Sequence, residues 1–272
     1  DKDPVSDHSG EELSVERATL RDEAKETAGV TSALLLAYLD HAGGPDAVRT
    51  VLARCGLGQC EAELRDENSW FSWQTKIELF EAAQEVLQKP DFLPEMARFG
   101  LDAHVAGGLK LALRTLGSSE FVLRNIVRAN SRFNRSHALE LVTLESGHAV
   151  LRFYEIGDGH RAHRLDCDYT AAMLSFIPGL FGLPPATVSH GQCAAAGAAA
   201  CVFDLRWMER PARRLRLAVA LLSLAAVAAS GIWLPVALPA AGAVTALAIA
   251  SLVRDRVRWQ RERWRHLQRQ AE

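Results

Sequence analysis

No G-x-G-x-x-G stretch and no Walker pattern occurs among the 272 residues. Neither dinucleotide binding nor P-loop phosphate chemistry has the glycine-rich backbone it requires. A C-x-x-C knuckle is missing, as is the C-x-x-C-H attachment of a c-type haem. Cysteine is scarce, five in all, which does not suit the disulfide framework of a small secreted domain. Reduced thiols in a cytosolic setting are the expectation, and they leave metal ligation open. Neither sign of charge dominates: 31 Lys and Arg against 33 Asp and Glu give a formal net charge of −2. No nucleic-acid partner is expected. A catalytic triad cannot be assembled with any specificity, so no catalytic residue is assigned and no enzyme is expected.

Charge is missing altogether from one long run. Between Arg216 and Arg254 about 37 positions carry none. A straight helix of that length would reach roughly 55 Å, well beyond the ~30 Å hydrocarbon core. Gly231, Pro235 and Pro239 lie near its middle, where a turn is needed. The pattern predicts a two-helix transmembrane hairpin over 217–253. Arg210, Arg213, Arg214 and Arg216 precede it, and Arg254, Arg256, Arg258 and Arg261 follow. Positive flanks on both sides imply an inner-membrane, multi-pass protein with its N-terminal domain and C-terminus in the cytoplasm. Val253, Val257, Trp264, Leu267 and Ala271 then fit a short heptad pattern, a coiled-coil-like linker helix over 254–272.

The chain as a whole has an ordinary globular balance, 49% hydrophobic and 24% charged, so global disorder is not expected. Residues 1–28 read as a polar tail and an exposed helix, 29–207 as one folded domain and 208–216 as a basic linker. TSALLLAYLDHAGG and PDAVRTVLARCGL predict helices punctuated by Gly43-Gly44 and Pro45. SWFSWQTKIELFEAAQEVL carries Trp73, Ile77, Phe80 and Leu87 at helical spacing. From about Ser136 the period changes: HALELVTLE and HAVLRFYEI, separated by Ser146-Gly147, predict a β-hairpin. CDYTAAMLSFIPGLFG reads as a helix, and PATVSHGQC and ACVFDLRW as two further strands. Helices followed by a small antiparallel sheet with one embedded helix define an α+β class, a helical layer packed on the sheet. The chain begins at Asp1 without Met and ends within a helical pattern, so a longer polypeptide is expected.

The chemistry concentrates in H-x-x-C-x₃-G-x₃-C-x-F: His190, Cys193, Gly197, Cys201 and Phe203. Thiophilic ions take tetrahedral thiolate and imidazole ligands. On a regular strand His190 and Cys193, three apart, would point to opposite faces unless a turn or bulge intervenes. Cys193 and Cys201 are equally readable as small buried residues of adjacent strands. Cys55 and Cys60 are assigned to packing.

The run FIPGLFGLPPATVSHGQCAAAGAAACVFDLRW resembles the closing signature of the 4-vinyl reductase domain family, in which C-x₃-G-x₃-C-x-F/Y ends the fold. That family is similar in fold to haem nitric-oxide sensors and transport-particle subunits. The resemblance implies a hydrophobic cavity between helices and sheet, and a homodimer. In aromatic-sensing members it also implies zinc, held by the closing cysteines, an acidic residue before them and a cysteine ahead of the preceding helix. Position by position this points to Cys167, Cys193 and Cys201, with His190 standing where the acidic ligand would be. The expected function is a cytosolic sensor of a small hydrophobic ligand in a membrane-anchored signalling protein, with zinc as cofactor. Trp70, Trp73, Phe80, Arg132, Asn134 and Tyr154 are the candidate ligand-binding residues. The alternatives are a zinc metalloenzyme, with Asp166 or Asp168 as base, and a membrane-peripheral scaffold for a partner protein.

Overall fold

The computed structural model describes residues 19–20, 23–103, 118–157, 162–209 and 225. Four helices make the first layer: α1 (Val30–Arg54), α2 (Glu61–Arg65), α3 (Trp73–Leu87) and α4 (Phe92–Ala103). The two helices expected at either side of Gly43-Gly44 form one element that kinks at Gly44, because Pro45 offers no N–H to continue the ladder. Both halves still bury an apolar face, Leu35, Leu36 and Leu39 before the kink and Val48, Val51 and Leu52 after it. α3 starts where Ser72 accepts a hydrogen bond from the Thr75 N–H, an ordinary N-cap. Phe71, Phe80 and Phe92 fill the space between these helices.

The second layer is a four-stranded antiparallel sheet of order β3-β4-β6-β5, built from β3 (His137–Glu145), β4 (His148–Glu155), β5 (Thr187–Gln192) and β6 (Cys201–Arg206). The predicted hairpin is there, with Ser146-Gly147 at its tip. Alternation places Leu139, Ala149, Leu151, Phe153, Phe203 and Leu205 on one buried face, as expected of a sheet covered on one side only. That face is covered by α5 (Ser119–Ala129), α6 (Arg164–Ser175) and the 3₁₀ turn Ile177–Phe181.

α6 has to satisfy both layers. Leu165, Tyr169 and Ala172, one helical stripe, join the core of the helical layer. Cys167, Ala171 and Leu174, the next stripe round, join the core beneath the sheet. Between them Asp166 is buried, and it accepts hydrogen bonds from Trp73 Nε1 and Lys76 Nζ, both at 2.7 Å. Lys76 and Asp166 are each about 3% exposed as side chains. His137 Nδ1 lies 3.8 Å from the same carboxylate and 2.9 Å from Ser136 Oγ. Burial alone would raise the Asp166 carboxyl, but Lys76, His137 and Trp73 outweigh it and hold it below the usual range.

A strap completes the junction. Thr27–Ala28 (β1) pairs antiparallel with Trp70–Phe71 (β2), while the Ala28 N–H donates to Phe133 O and the Arg135 N–H to Glu26 O. Glu23 accepts from the Ser72 N–H and Glu26 from the Trp73 N–H. Residues 23–28 are thus extended rather than the helix expected there: their carboxylates are spent on the exposed N–H groups that open α3.

The expected hairpin at 217–253, its basic linker from 210 on and the linker helix at 254–272 lie outside the described residues. Among the described residues no helix is long and apolar enough to cross a membrane. The expected multi-pass inner-membrane localisation thus has no spanning helix among the described residues to rest on.

Removing one partner from the buried pair leaves an uncompensated charge, which costs about 3–5 kcal/mol. Lys76→Met is expected to lower unfolding stability by that order in urea titrations, and a loss under about 1 kcal/mol would show the pair is not a fastener. The Asp166 value is depressed in the folded state. Its contribution is therefore complete above the unfolded carboxylate value of about 3.9 and lost as pH falls through the lower folded value. Asp166→Asn should flatten that acid limb.

Candidate metal centre

β5 carries a bulge at Gly191: His190 pairs with Phe203 and Gln192 with Val202. The extra residue resets the alternation, which brings His190 and Cys193 to one side of the sheet. Beyond Cys193 the chain turns at once. The N–H groups of Ala196 and Ala198 both donate to Cys193 O, and Gly197 takes φ +92°, a region that favours glycine. The turn returns the chain to Cys201 at the start of β6, and the Ala194 N–H donates to Cys201 Sγ at 3.3 Å. Cys167 arrives from the first turn of α6, whose N-cap is His163, accepting from the Leu165 N–H.

Three elements thus converge. Cys167 Sγ lies 3.4 Å from Cys201 Sγ and 3.8 Å from Cys193 Sγ. The ligand atoms of Cys167, His190, Cys193 and Cys201 all fall within 4.8 Å of one another. A tetrahedron with metal–thiolate bonds of about 2.3 Å has edges of roughly 3.8 Å, close to the two separations from Cys167. His190 stacks on Phe203 with centroids 4.5 Å apart, and its Nε2 is buried without a hydrogen-bond partner. An orphaned imidazole nitrogen costs free energy unless something occupies it, and a cation among the thiolates would. Cys201 is drawn down to about 5 by the Cys167 thiol that bonds to it, with the Ala194 N–H and His190 adding to this against burial. Cys167 is pushed up correspondingly by Cys201 and by burial. The residues fit a thiophilic cation.

The candidate ligand-binding residues are not brought together. Trp73 is spent on Asp166, and Phe80 is buried against Phe92 and Tyr169, with centroids at 6.3 and 5.3 Å. Asn134 Oδ1 accepts from the Ser136 N–H, the Ser136 hydroxyl and the His137 N–H, a turn-forming role. Arg132 is exposed. Tyr154 lies under Arg152, whose guanidinium carbon is 5.1 Å from the ring centroid, and Trp70 lies under Arg135 at 3.8 Å. Trp70 also edges an open surface pocket of about 430 Å³ with Leu20, Lys25, Glu63 and Ser69. A second open pocket, of about 300 Å³, lies between α4 and α6. Neither is lined by a histidine. Residues 104–117, which the expected cavity would have used as a wall, lie outside the described residues. Asp166 and Asp168, the bases a metalloenzyme would use, are engaged by Lys76 and Trp73 and by Arg164.

Sequence reasoning missed Lys76 and Arg164. Lys76 meets Asp166 across 90 positions, and no local pattern marks such a pair. Arg164 was within reach of it, since it stands three residues ahead of Cys167 where a helix begins.

No family model matches the chain, and no curated protein matches it. Among solved structures it is similar to H-NOX proteins. A variant from K. algicida in the Fe(II) unliganded form has 9% identity and a TM-score of 0.49, covering 68% of this chain and 98% of that one. The S. oneidensis protein in the Fe(II)NO state has 13% identity and a TM-score of 0.47, covering 67% and 99%. The Shewanella woodyi protein in the Fe(II)CO state has 15% identity and a TM-score of 0.45, covering 68% and 96%. At these identities and scores no residue's role passes to this chain.

Zinc as the cofactor does not stand. The similar solved structures are described by iron in its Fe(II) state, and three thiols with an imidazole accept thiophilic ions generally. No element is assigned.

Inserting an alanine between Gln192 and Cys193 moves Cys193 one position along and turns it to the other side of the sheet. With cobalt(II) as a spectroscopic probe, the wild-type chain should show an intense thiolate-to-metal band that the insertion abolishes. An unchanged band in the insertion variant would mean that strand alternation does not set the ligand geometry.

Proposed function

We propose that this chain is a small-molecule-sensing input domain whose closing strands are pinned by a structural metal ion on Cys167, His190, Cys193 and Cys201. The observation that supports it most is the closed donor set. Four protein ligand atoms within 4.8 Å of one another would fill a tetrahedral ion and leave no open position for a substrate or water, which is how structural sites differ from catalytic ones. The metalloenzyme alternative also lacks a free base, since both neighbouring carboxylates are engaged. The ion would tie three things: the start of α6, the end of β5 and the start of β6. α6 in turn contributes to both cores, so the site stands where a change in packing between helical layer and sheet would pass. The likeness to H-NOX proteins and the 4-vinyl reductase-like closing motif both favour a binding module over a catalyst. Trp70, Arg132, Asn134 and Tyr154 are kept as candidate contacts for the sensed molecule, together with Trp73 and Phe80, whose rings would have to give way to admit it.

Metal analysis and native mass spectrometry of the full chain test the reading together. One thiophilic ion per chain, lost in Cys167→Ser, with an apolar small molecule carried through purification, is the expected result. A metal-free chain would reduce the thiols to packing residues. Turnover of a reactive analogue by the metal-loaded chain would favour the enzyme instead.

A further inference from the structure

We propose that the thiol cluster is also a peroxide-responsive site, with Cys193 the sulfur attacked and Cys167 the sulfur that resolves it. The inference rests on the metal-site reading for what is released, while the sulfur chemistry stands on the geometry alone.

Exposure selects the first sulfur. Cys167 and Cys201 are 3% and 1% exposed, whereas Cys193 is only half-buried. A hydroperoxide must reach the sulfur it oxidises, and of the cluster only Cys193 offers that approach. Of the two cysteines elsewhere, Cys60 is fully buried and Cys55 donates to Glu78 O from a half-buried position. Distance selects the second sulfur, since Cys167 Sγ lies 3.8 Å from Cys193 Sγ. Closing to a bond of about 2.05 Å requires a shift of under about 2 Å. The segment after Cys193 can supply it: Ala194 to Ala200 carry no side chain beyond Cβ, and most of them are exposed or half-buried. Arg164, on the exposed first turn of α6, places a cation within electrostatic reach of both sulfurs, and a cation near a half-buried sulfur such as Cys193 suits attack there.

The chemistry balances with hydrogen peroxide as the oxidant. The Cys193 thiolate attacks one peroxide oxygen; the S–O bond forms, the O–O bond breaks and hydroxide leaves. The Cys167 thiolate then attacks the Cys193 sulfur; the S–S bond forms, the S–O bond breaks and a second hydroxide leaves. Two electrons pass from the two sulfurs to the peroxide, and two protons from solvent complete two waters. The ion keeps only Cys201 and His190 and departs. A covalent tie between α6 and the end of β5 replaces it.

The test uses the full chain with its metal content measured beforehand. Hydrogen peroxide is added, released metal is followed with a chromogenic chelator, and disulfides are mapped by mass spectrometry without reduction. The expected result is a Cys167–Cys193 disulfide formed together with release of one ion per chain, both reversed by a dithiol. Cys193→Ser should slow release by roughly tenfold or more. Arg164→Ala keeps every ligand and removes only an exposed ion pair with Asp168, so it should fold normally and slow oxidation several-fold. Sulfinic acid at Cys193 without a disulfide would overturn the proposal, as would Cys55–Cys60 as the main product. Unaltered thiols with the ion retained overturn it while leaving the metal reading intact. A Cys167–Cys193 disulfide in a chain that held no metal at the outset supports the sulfur chemistry and sinks the metal reading.

Discussion

A single buried carboxylate holds the two layers in register. Asp166 meets Trp73 and Lys76 from α3 and His137 from β3, and it is joined by one peptide bond to Cys167. A charge so far from water is tolerable only when its lone pairs are filled and an opposite charge is adjacent. The helical layer and the sheet must therefore come together in one relative position for this carboxylate to be paid off. An apolar interface of similar size would accept several positions; this one accepts the arrangement in which two 2.7 Å bonds close.

The thiol cluster depends on that constraint. Cys201 and Cys193 come from a strand pair whose geometry is local, set by the Gly191 bulge and the Gly197 turn. Cys167 comes from another element, and only the docking of α6 brings it within 3.4 Å of Cys201. Asp166 immediately precedes Cys167 in the chain, so the placing of the third thiol and the joining of the two cores are one event.

Much of this was legible from residue order, and the limits have physical causes. The hairpin over β3 and β4 followed from alternation with a Ser-Gly break, and β5 and β6 from their short apolar runs on either side of a small-residue loop. The four clustered ligands could be named because three are local to one motif and the fourth begins the helix before it. Their geometry depended on a bulge that spacing allows but does not announce. The two stripes of α6 were hidden because a helix apolar on two sides has weak periodicity. Trp73 and Phe80 looked like pocket aromatics for the reason that they turned out to be core: a large ring at helical spacing is the same signal in both settings. The strap at residues 23–28 was misread as helical because its acidic residues, which suit an exposed helix, instead serve as caps for another one.

Both outer strands of the sheet are interrupted. β3 shifts register between Leu141 and Thr143, leaving Val142 turned outward, and β5 shifts between His190 and Gln192. A bulged edge offers an incoming strand a ladder of donors and acceptors that falls out of phase after a few residues. Both edges of the sheet are thus poor templates for another strand, which disfavours association of copies by lengthening the sheet. On β5 the same extra glycine that assembles the ligand set also blunts the edge against aggregation.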